Sequence, residues 1–389
     1  ILKNIFLKVK SNMKKLIVTL EYLPVIGGVQ NYVRQFVDAL DPNDVVLLAP
    51  KHLHAKEVDD KQKFKTIRKN LLFPFFIWPR WLKMFFQILS IIKKEKIEIL
   101  YIHHVLPVGY VAWLIKKIKK IPYIVFSHGT DIEMGTKSKW KRKWLNFVSM
   151  ESEQIIFNSE NLKKRLLEVL PELESKSAVL YPCPEDIFYI SPGQEKIDQM
   201  KSQYALEGKK VMLSVGRLTD GKGFTHLVRM LPKILEKVPH LVWFIVGDGK
   251  KKKFLIEEIQ KHNLQNVVRF VGEVPHEQLN NYYYLADLFV LLTHPDEGRE
   301  EGLGLVFLEA AAAGLPIVAG KSGGVEEAVI HAQTGVIVDI YRGDKIIVDS
   351  VVEMLKNKEY AKRLAENARD RVKNNFKWEN QLKVLDEWL

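Results

Sequence analysis

The sequence predicts an α/β protein built from two doubly wound, Rossmann-like domains that face a central cleft. Apolar, β-prone segments alternate with amphipathic helical segments, which is the order of a parallel sheet with helices on both faces. The chain has 389 residues, too many for one compact core. Both halves also repeat the same order of strand, glycine-containing turn and helix, and such domains present ligand-binding loops at their strand ends.

The first domain is predicted to span residues 1–185. A strand at 15–20 leads through Gly27-Gly28 into a helix at 29–40, whose apolar residues share one face. A second helix is predicted at 81–94. The other strands are predicted at 45–49, 97–102, 123–127 and 155–158.

The second domain is predicted to span residues 186–374, after a linker near 182–191. Residues 191–205 are polar and show little periodicity. Helices are predicted at 224–237 and 305–313. The strands are predicted at 211–215, 241–246, 267–271, 287–292 and 316–319.

Composition limits the classes of function. The single cysteine, Cys183, excludes an intramolecular disulfide and a cysteine-rich zinc site, and it fits a reducing cytoplasm. The net charge of +12 fits a polyanion, an anionic membrane or a phosphorylated ligand, and equally a lysine-rich composition with no ligand. The most apolar region, 71–92, is interrupted by prolines and cations, so no membrane span is predicted. Residues 1–12 precede Met13-Lys14-Lys15, which resembles a natural start, and they are not interpreted.

Two cations follow the first strand of the second domain. Arg217 lies in Gly216-Arg217-Leu218, and Lys222 stands between two glycines just before the helix at 224–237. Cations and free backbone N–H groups at a helix start suit a diphosphate. The alternative is a polar turn with two solvated cations, and these residues alone favour it.

Glu301 and Glu309 flank the start of a helix predicted near Gly304. Eight residues of unbroken helix rise about 12 Å. That is wider than the roughly 5–9.5 Å between the two carboxylates of a glycosidase. The spacing instead suits two carboxylates that hold hydroxyls at opposite ends of one long ligand, a sugar and a ribose, with the helix start facing the phosphates. The glycines at 302 and 304 strengthen this interpretation, since a Glu-x7-Glu spacing alone is common.

Two features of the first domain are further candidates. His128 ends a strand in the sequence Phe-Ser-His-Gly-Thr-Asp, where open α/β sheets present functional groups. A single histidine there is more often a structural hydrogen-bonding residue. Gly27-Gly28 could hold a phosphate, although many such folds use a glycine pair only for a tight turn.

These motifs together resemble family 4 glycosyltransferases of GT-B fold. The resemblance rests on GRLTDGKG at 216–223, VGDG at 246–249 and EGLGLVFLEAAAAG at 301–314, in that order, with GGV at 27–29 and HG at 128–129. It covers nearly the whole chain. The sequence motifs GGVQNY, HGTD and REEGLGLVFLEAAAAG are most similar to those of the branch that contains phosphatidylinositol mannosyltransferases.

The resemblance implies a role for each candidate residue. Arg217 and Lys222 would bind the donor diphosphate and stabilise the leaving group, next to Gly216. Glu301 would hold sugar hydroxyls and Glu309 the ribose. The remaining implied contacts come from His128 near the sugar, from Gly28 at the first helix, and from backbone N–H groups of Leu303, Gly304 and Leu305.

The family also implies a reaction. It transfers a sugar from a nucleotide-sugar donor with retention of anomeric configuration, and it needs no metal or other cofactor; the chain contains no Asp-x-Asp motif. GDP-mannose is the first expected donor and a UDP-hexose the second. The junction reads Pro182-Cys183-Pro184-Glu185 instead of the usual Pro-Gly-Val-Asp, which leaves the role of Glu185 open. The final helix, at about 375–389, would pack back onto the first domain.

The acceptor is the least specified part of the prediction. Basic residues mix with aromatic residues in the first domain, which suits an anionic lipid surface and a lipid-linked or glycan acceptor at the cytoplasmic face of a membrane. The alternative is a solvated lysine face with the aromatics in the core. The residues concerned are Lys116, Lys117, Lys119, Lys120, Lys137, Lys139, Lys141, Arg142, Lys143, Trp78, Trp81, Phe85, Phe86, Trp140 and Trp144.

The sequence is also compatible with three other functions. These are a UDP-hexose-dependent glycosyltransferase with a soluble acceptor, a GT-B sugar epimerase and a starch-synthase-like polymerase. Nucleic-acid binding is not expected, because the sequence has no helix-turn-helix, RNP-type or zinc signature.

Overall fold

A computed structural model describes residues 13–25, 27–129, 138–297 and 300–389. The predictions that concern residues 1–12, Thr130, Asp131 and Lys137 lie outside these ranges. The described chain forms two compact units. The first comprises the described residues up to Phe157, then Lys163–Leu180 and Gln381–Leu389, and the second comprises Asn158–Leu162 and Tyr181–Asn380.

The sheet of the first unit has seven parallel strands in the order β3-β2-β1-β4-β5-β6-β7. Its central strands are wholly buried and mostly apolar, as expected when helices cover both faces. The strands are β1 (Lys15–Val18), β2 (Val45–Pro50), β3 (Lys65–Lys69), β4 (Ile99–Ile102), β5 (Tyr123–Ser127), β6 (Gln154–Phe157) and β7 (Ser177–Val179).

The described residues between 13 and 167 form six helices. They are α1 (Gly28–Asp38), α2 (Ala55–Asp59), α3 (Leu82–Glu95), α4 (Val108–Lys119), α5 (Lys139–Glu151) and α6 (Glu160–Leu167). α1 buries Tyr32, Val33, Phe36 and Val37 on one face, as its periodicity predicts.

The second unit has a six-stranded parallel sheet in the order β10-β9-β8-β11-β12-β13. The strands are β8 (Lys210–Val215), β9 (Leu241–Val246), β10 (Val268–Gly272), β11 (Leu288–Leu291), β12 (Ile317–Gly320) and β13 (Val336–Val338). The helices are α7 (Gln194–Gln203), α8 (Phe224–Lys237), α9 (Lys252–Lys261), α10 (His276–Leu285), α11 (Leu305–Ala312), α12 (Val325–Ala328), α13 (Asp344–Lys356), α14 (Lys358–Asn375) and α15 (Trp378–Gln381).

The two parallel sheets with flanking helices confirm the predicted fold class. Strand β9 and helix α8 have the predicted bounds, and most other predicted elements agree within two residues. Residues 378–385 form a short helix and a 3₁₀ turn instead of one final helix. The Tyr101 hydroxyl donates to the Trp388 carbonyl oxygen at 3.0 Å within the first unit.

Several elements were missed. β3 is an edge strand with charged residues and no buried position, so it lacks the apolar alternation that signals a strand. The low periodicity of 191–205 gave no sign of α7, which buries only Ile197 and Met200. In the described part of the chain, no helix combines the length and the hydropathy that crossing a bilayer requires.

Candidate active site

The carboxyl ends of β8 and β9 are joined through their backbones. The Gly216 N–H donates to the Val246 carbonyl oxygen at 3.0 Å, and the Leu218 N–H donates to that of Asp248 at 2.9 Å. Gly247 has a φ of 130°, and a Cβ there would overlap the Gly216 carbonyl oxygen. Glycine is therefore required for these two loops to come this close. The loops hold Arg217 at the edge of the sheet, where it is exposed.

The next turn carries Lys222. Residues Asp220–Lys222 form a 3₁₀ turn, and Gly223 follows with a φ of 73°, immediately before α8. A Cβ at Gly223 would overlap the Leu292 carbonyl oxygen, and the His294 N–H donates to the Gly221 carbonyl oxygen at 2.9 Å. The turn is thus fixed against the segment that follows β11, with Lys222 at the start of a helix.

Lys222 and Glu301 form a direct ion pair between Nζ and Oε2. The two side chains are 22% and 17% exposed, so the pair is open to solvent on one side. The Glu301 backbone is held from the loop after β12: its N–H donates to Ser322 Oγ at 3.1 Å, and its carbonyl oxygen accepts from the Gly324 N–H at 3.0 Å. The sequence predicted both residues as donor ligands but did not predict that they would contact each other.

Helix α11 begins at Leu305, after Gly304 with a φ of 83°. The helix start therefore lies between the two glutamates in sequence, as predicted. The helix covers only half of that interval, however, so the rise of about 12 Å for an unbroken helix does not apply. Leu303 is 2% exposed and belongs to the core, whereas Leu305 is partly accessible.

Glu309 lies one turn into α11 and is 2% exposed. Its Oε2 accepts a hydrogen bond from the Tyr283 hydroxyl at 2.8 Å. Burial and the neighbouring carboxylate raise the pKa of Tyr283 well above its ordinary value, so the hydroxyl remains a donor at neutral pH. The carboxylate of Glu309 is thus held in a fixed orientation inside the second unit.

His128 follows β5 in the first unit and stacks with His103, which follows β4. His103 Nδ1 and His128 Nε2 are 3.2 Å apart, and the ring planes differ by 10°. Burial, reinforced by the nearby charge of His104, lowers the pKa of His128 to about 3. Burial and the nearby charges of His128 and His104 hold the pKa of His103 well below its ordinary value. Both rings are neutral at pH 7, and one donates to the other.

The start of α1 lies close to these histidines. Tyr32, in the first turns of α1, contacts the His128 ring edge-on with a centroid distance of 5.0 Å. Gly28 is the first residue of α1, and a Cβ there would meet no described atom within 4 Å. The glycine leaves open space at the helix start, which is where the prediction places a ligand.

The structure thus divides the predicted site residues between the two units. Gly28 and His128 lie in the first unit, and the other eight predicted site residues lie in the second. Three supporting residues were missed: His103, Ser322 and Tyr283. The rule that found His128 would also have found His103, because both follow adjacent strands of one sheet. Tyr283 gave no sequence signal, because it is one of three consecutive tyrosines in a helix that also contains polar residues.

The second-unit site has a definite chemical character. Arg217, Lys222 and the N-termini of α8 and α11 supply positive charge and free N–H groups, which suits a phosphate-containing ligand. Glu301 and Glu309 supply fixed acceptors for hydroxyl groups. Together these groups can bind a phosphorylated sugar and stabilise negative charge on a departing phosphate.

Comparison with known proteins agrees with a site for a phosphorylated sugar. Residues 26–183 match the model "Glycosyltransferase Family 4", and residues 196–371 match "Glycosyl transferases group 1". The GDP-mannose-dependent α-(1-6)-phosphatidylinositol monomannoside mannosyltransferase of Mycolicibacterium smegmatis is 27% identical over 384 residues, covering 96% of this chain and 97% of that protein. The N-acetyl-α-D-glucosaminyl L-malate synthase of Bacillus anthracis is 24% identical and covers 75% of this chain and 74% of its own length.

Among solved structures, Anabaena Alr3699/HepE in complex with UDP and glucose superposes with a TM-score of 0.81. It is 18% identical and covers 97% of this chain and 99% of its own, so the likeness shows the fold. With the two family models, it establishes that the chain belongs to the family 4 glycosyltransferases of GT-B fold.

Proposed function

We propose that the protein transfers mannose from GDP-mannose to a hydroxyl group of a lipid-linked or glycan acceptor, with retention of the anomeric configuration. The observation that carries this proposal is the Lys222–Glu301 ion pair at two helix starts, with Arg217 in the same loop after β8 as Lys222. It puts cations for a diphosphate and a carboxylate for sugar hydroxyls at one place in the second unit. The choice of GDP-mannose is supported by the M. smegmatis relative, whose named donor it is.

In the proposed reaction the bond between the sugar anomeric carbon and the diphosphate oxygen breaks. A bond from the same carbon to the acceptor oxygen forms on the same face. The acceptor proton passes to the departing diphosphate, so atoms and charge balance. Arg217 and Lys222 offset the charge that develops on the diphosphate, and no resident metal is used. Glu301 holds sugar hydroxyls, Glu309 holds the ribose, and neutral His128 can orient a hydroxyl without adding charge.

A ligand panel tests the donor. Melting temperatures are measured with GDP, UDP, GDP-mannose and UDP-glucose, and turnover is followed with a lipid-linked acceptor in detergent micelles. We expect stabilisation by GDP and GDP-mannose, product with unchanged anomeric configuration by NMR, and no loss of rate in EDTA. No stabilisation by any of the four nucleotides would refute the proposed function.

A UDP-hexose donor with a soluble acceptor is the second candidate. Its soluble acceptor is supported by the B. anthracis relative, whose name includes L-malate. Stabilisation by UDP and UDP-glucose but not by GDP would select it. Release of a free epimerised sugar without acceptor would instead identify an epimerase.

A further inference from the structure

A projecting loop in the first unit exposes four consecutive large apolar side chains. Phe75, Phe76, Ile77 and Trp78 are 86%, 72%, 40% and 84% exposed. Single exposed apolar residues are ordinary, but a contiguous group of aromatic side chains marks an interaction site. Residues 73–80 are called the aromatic loop below.

The aromatic loop has a defined base. The Phe73 N–H donates to the Arg80 carbonyl oxygen at 2.9 Å, and Arg80 Nε donates back to the Phe73 carbonyl oxygen at 2.9 Å. Inside the loop, the Ile77 N–H donates to the Pro74 carbonyl oxygen at 3.1 Å. These bonds hold the aromatic side chains at the tip, away from the core.

The loop is continuous with a basic surface. Trp81, next to the loop, contacts Tyr110 of α4 at a centroid distance of 5.8 Å, and Tyr110 contacts Trp144 of α5 at 5.2 Å. Trp144 in turn contacts Trp140 at 6.3 Å, and Trp140 is 59% exposed. This aromatic chain links the loop to α4 and α5, which carry six of the twelve lysines between residues 71 and 150. The exposed cations on α4 and α5 are Lys117, Lys119, Lys139, Lys141, Arg142 and Lys143.

The charge of this region identifies the occupant. Residues 71–150 contain 14 Lys and Arg against four Asp and Glu, so they hold most of the net charge of the whole chain. Phe and Trp side chains beside lysines are the composition that enters the headgroup region of an anionic bilayer. Nothing in the loop resembles a base-stacking platform on a sheet, so a nucleic acid is less favoured.

We propose that the aromatic loop inserts into the interfacial layer of an anionic membrane while α4 and α5 bind the lipid headgroups. The proposal extends the proposed function, because it would bring the first unit to a lipid-linked acceptor. The binding itself involves neither donor nor catalysis and is therefore tested separately.

The test is sedimentation of the full chain with vesicles of phosphatidylcholine containing 30% phosphatidylglycerol or none. We expect binding to the anionic vesicles only. A Phe75→Ser/Phe76→Ser/Trp78→Ser variant should bind about tenfold or more weakly, since insertion is lost while the charge is unchanged. The matched control is Leu53→Ser, which removes an 89% exposed apolar side chain elsewhere in the first unit.

The charge contribution is tested separately. Lys139→Gln/Lys143→Gln should weaken binding about 25-fold at low salt, at about fivefold for each lysine near an anionic surface. Lys358→Gln/Lys362→Gln, on α14 of the second unit, should leave it unchanged. Lipids brominated near the headgroup should quench tryptophan emission of the wild type more than that of Trp78→Phe.

Several results would overturn the proposal. One is equal sedimentation of the triple variant and the wild type with anionic vesicles. Another is equal quenching of tryptophan emission in Trp78→Phe and the wild type. The third is binding of an acidic protein or RNA with no binding to vesicles. Because the variants keep the second-unit site, nucleotide stabilisation reports on the proposed function independently. Loss of vesicle binding with retained GDP stabilisation, or the reverse, separates the two proposals.

Discussion

The Lys222–Glu301 ion pair leads to an unusual prediction. Replacing Glu301, although it is a predicted site residue, should tighten the binding of a nucleoside diphosphate. In the unliganded protein, the Lys222 ammonium is held by the Glu301 carboxylate. A diphosphate has to draw the ammonium away and also meets the negative charge of the carboxylate. Glu301→Gln removes both obstacles with little change in shape.

The magnitude follows from the exposure of the pair. Two unit charges about 3 Å apart attract by about 5 kcal/mol at an effective dielectric constant of about 20. Solvent exposure and side-chain entropy reduce the net value for such pairs to roughly 0.5–1 kcal/mol. Releasing Lys222 should therefore tighten GDP binding about two- to fivefold. Turnover of GDP-mannose should fall instead, because the amide replaces the carboxylate that is proposed to hold the sugar.

Isothermal titration of GDP into wild type and Glu301→Gln, at low salt and in 0.5 M NaCl, measures the effect. Glu326→Gln is the matched control, since Glu326 is about half exposed and pairs only loosely with Lys321 at 3.6 Å. It should alter GDP affinity by less than a factor of two. Equal or weaker GDP binding by Glu301→Gln would show that the pair does not compete with the diphosphate.

Three further predictions concern the supporting structure. His128 is neutral in the fold, where its pKa is lowered to about 3, whereas the unfolded chain binds this proton near pH 6.5. The free energy of unfolding should therefore keep the full contribution of this ring above pH 6.5 and lose about 1.4 kcal/mol per pH unit as the pH falls from 6.5 to 4; urea denaturation measures it, and a flat profile would contradict it. Gly223→Ala should destabilise the second unit by about 2 kcal/mol or more, whereas Gly28→Ala should change the melting temperature little. Tyr283→Phe should cost about 1.5–3 kcal/mol by calorimetry and weaken GDP binding, since it removes a hydrogen bond to buried Glu309; unchanged values would show that the bond is dispensable.

The sequence was a good guide to the central strands and to the helices with a clear apolar stripe. Buried strands such as β9 consist of six consecutive buried apolar residues, and α8 buries one face over 14 residues. Both signals arise from burial and are readable without a structure. β3 and α7 lie at the margins of their units and bury little, so their sequences carry little of that signal.

The candidate site was predictable in its residues but not in its contacts. Spacing and glycines located Lys222 and Glu301, which are 79 positions apart in the chain. Their pairing depends on the approach of the loops after β8 and β11, where the His294 N–H donates to the Gly221 carbonyl oxygen. Ser322 and Gly324, after β12, in turn hold the Glu301 backbone by hydrogen bonds. Such long-range backbone contacts leave no local pattern in the sequence. Burial of the Glu309 side chain was hidden for the same reason.

The two units have the same α/β order but different electrostatic character at the strand ends that carry the candidate residues. In the second unit, close backbone approaches at glycines hold two cations and two carboxylates in place. In the first unit, the corresponding edge carries neutral His103 and His128, which can orient a hydroxyl but cannot neutralise a phosphate. We therefore infer that the donor diphosphate is bound by the second unit. In the first unit, α4 and α5 carry seven Lys and Arg residues against one Glu, and the role of this charge has to be sought at that surface.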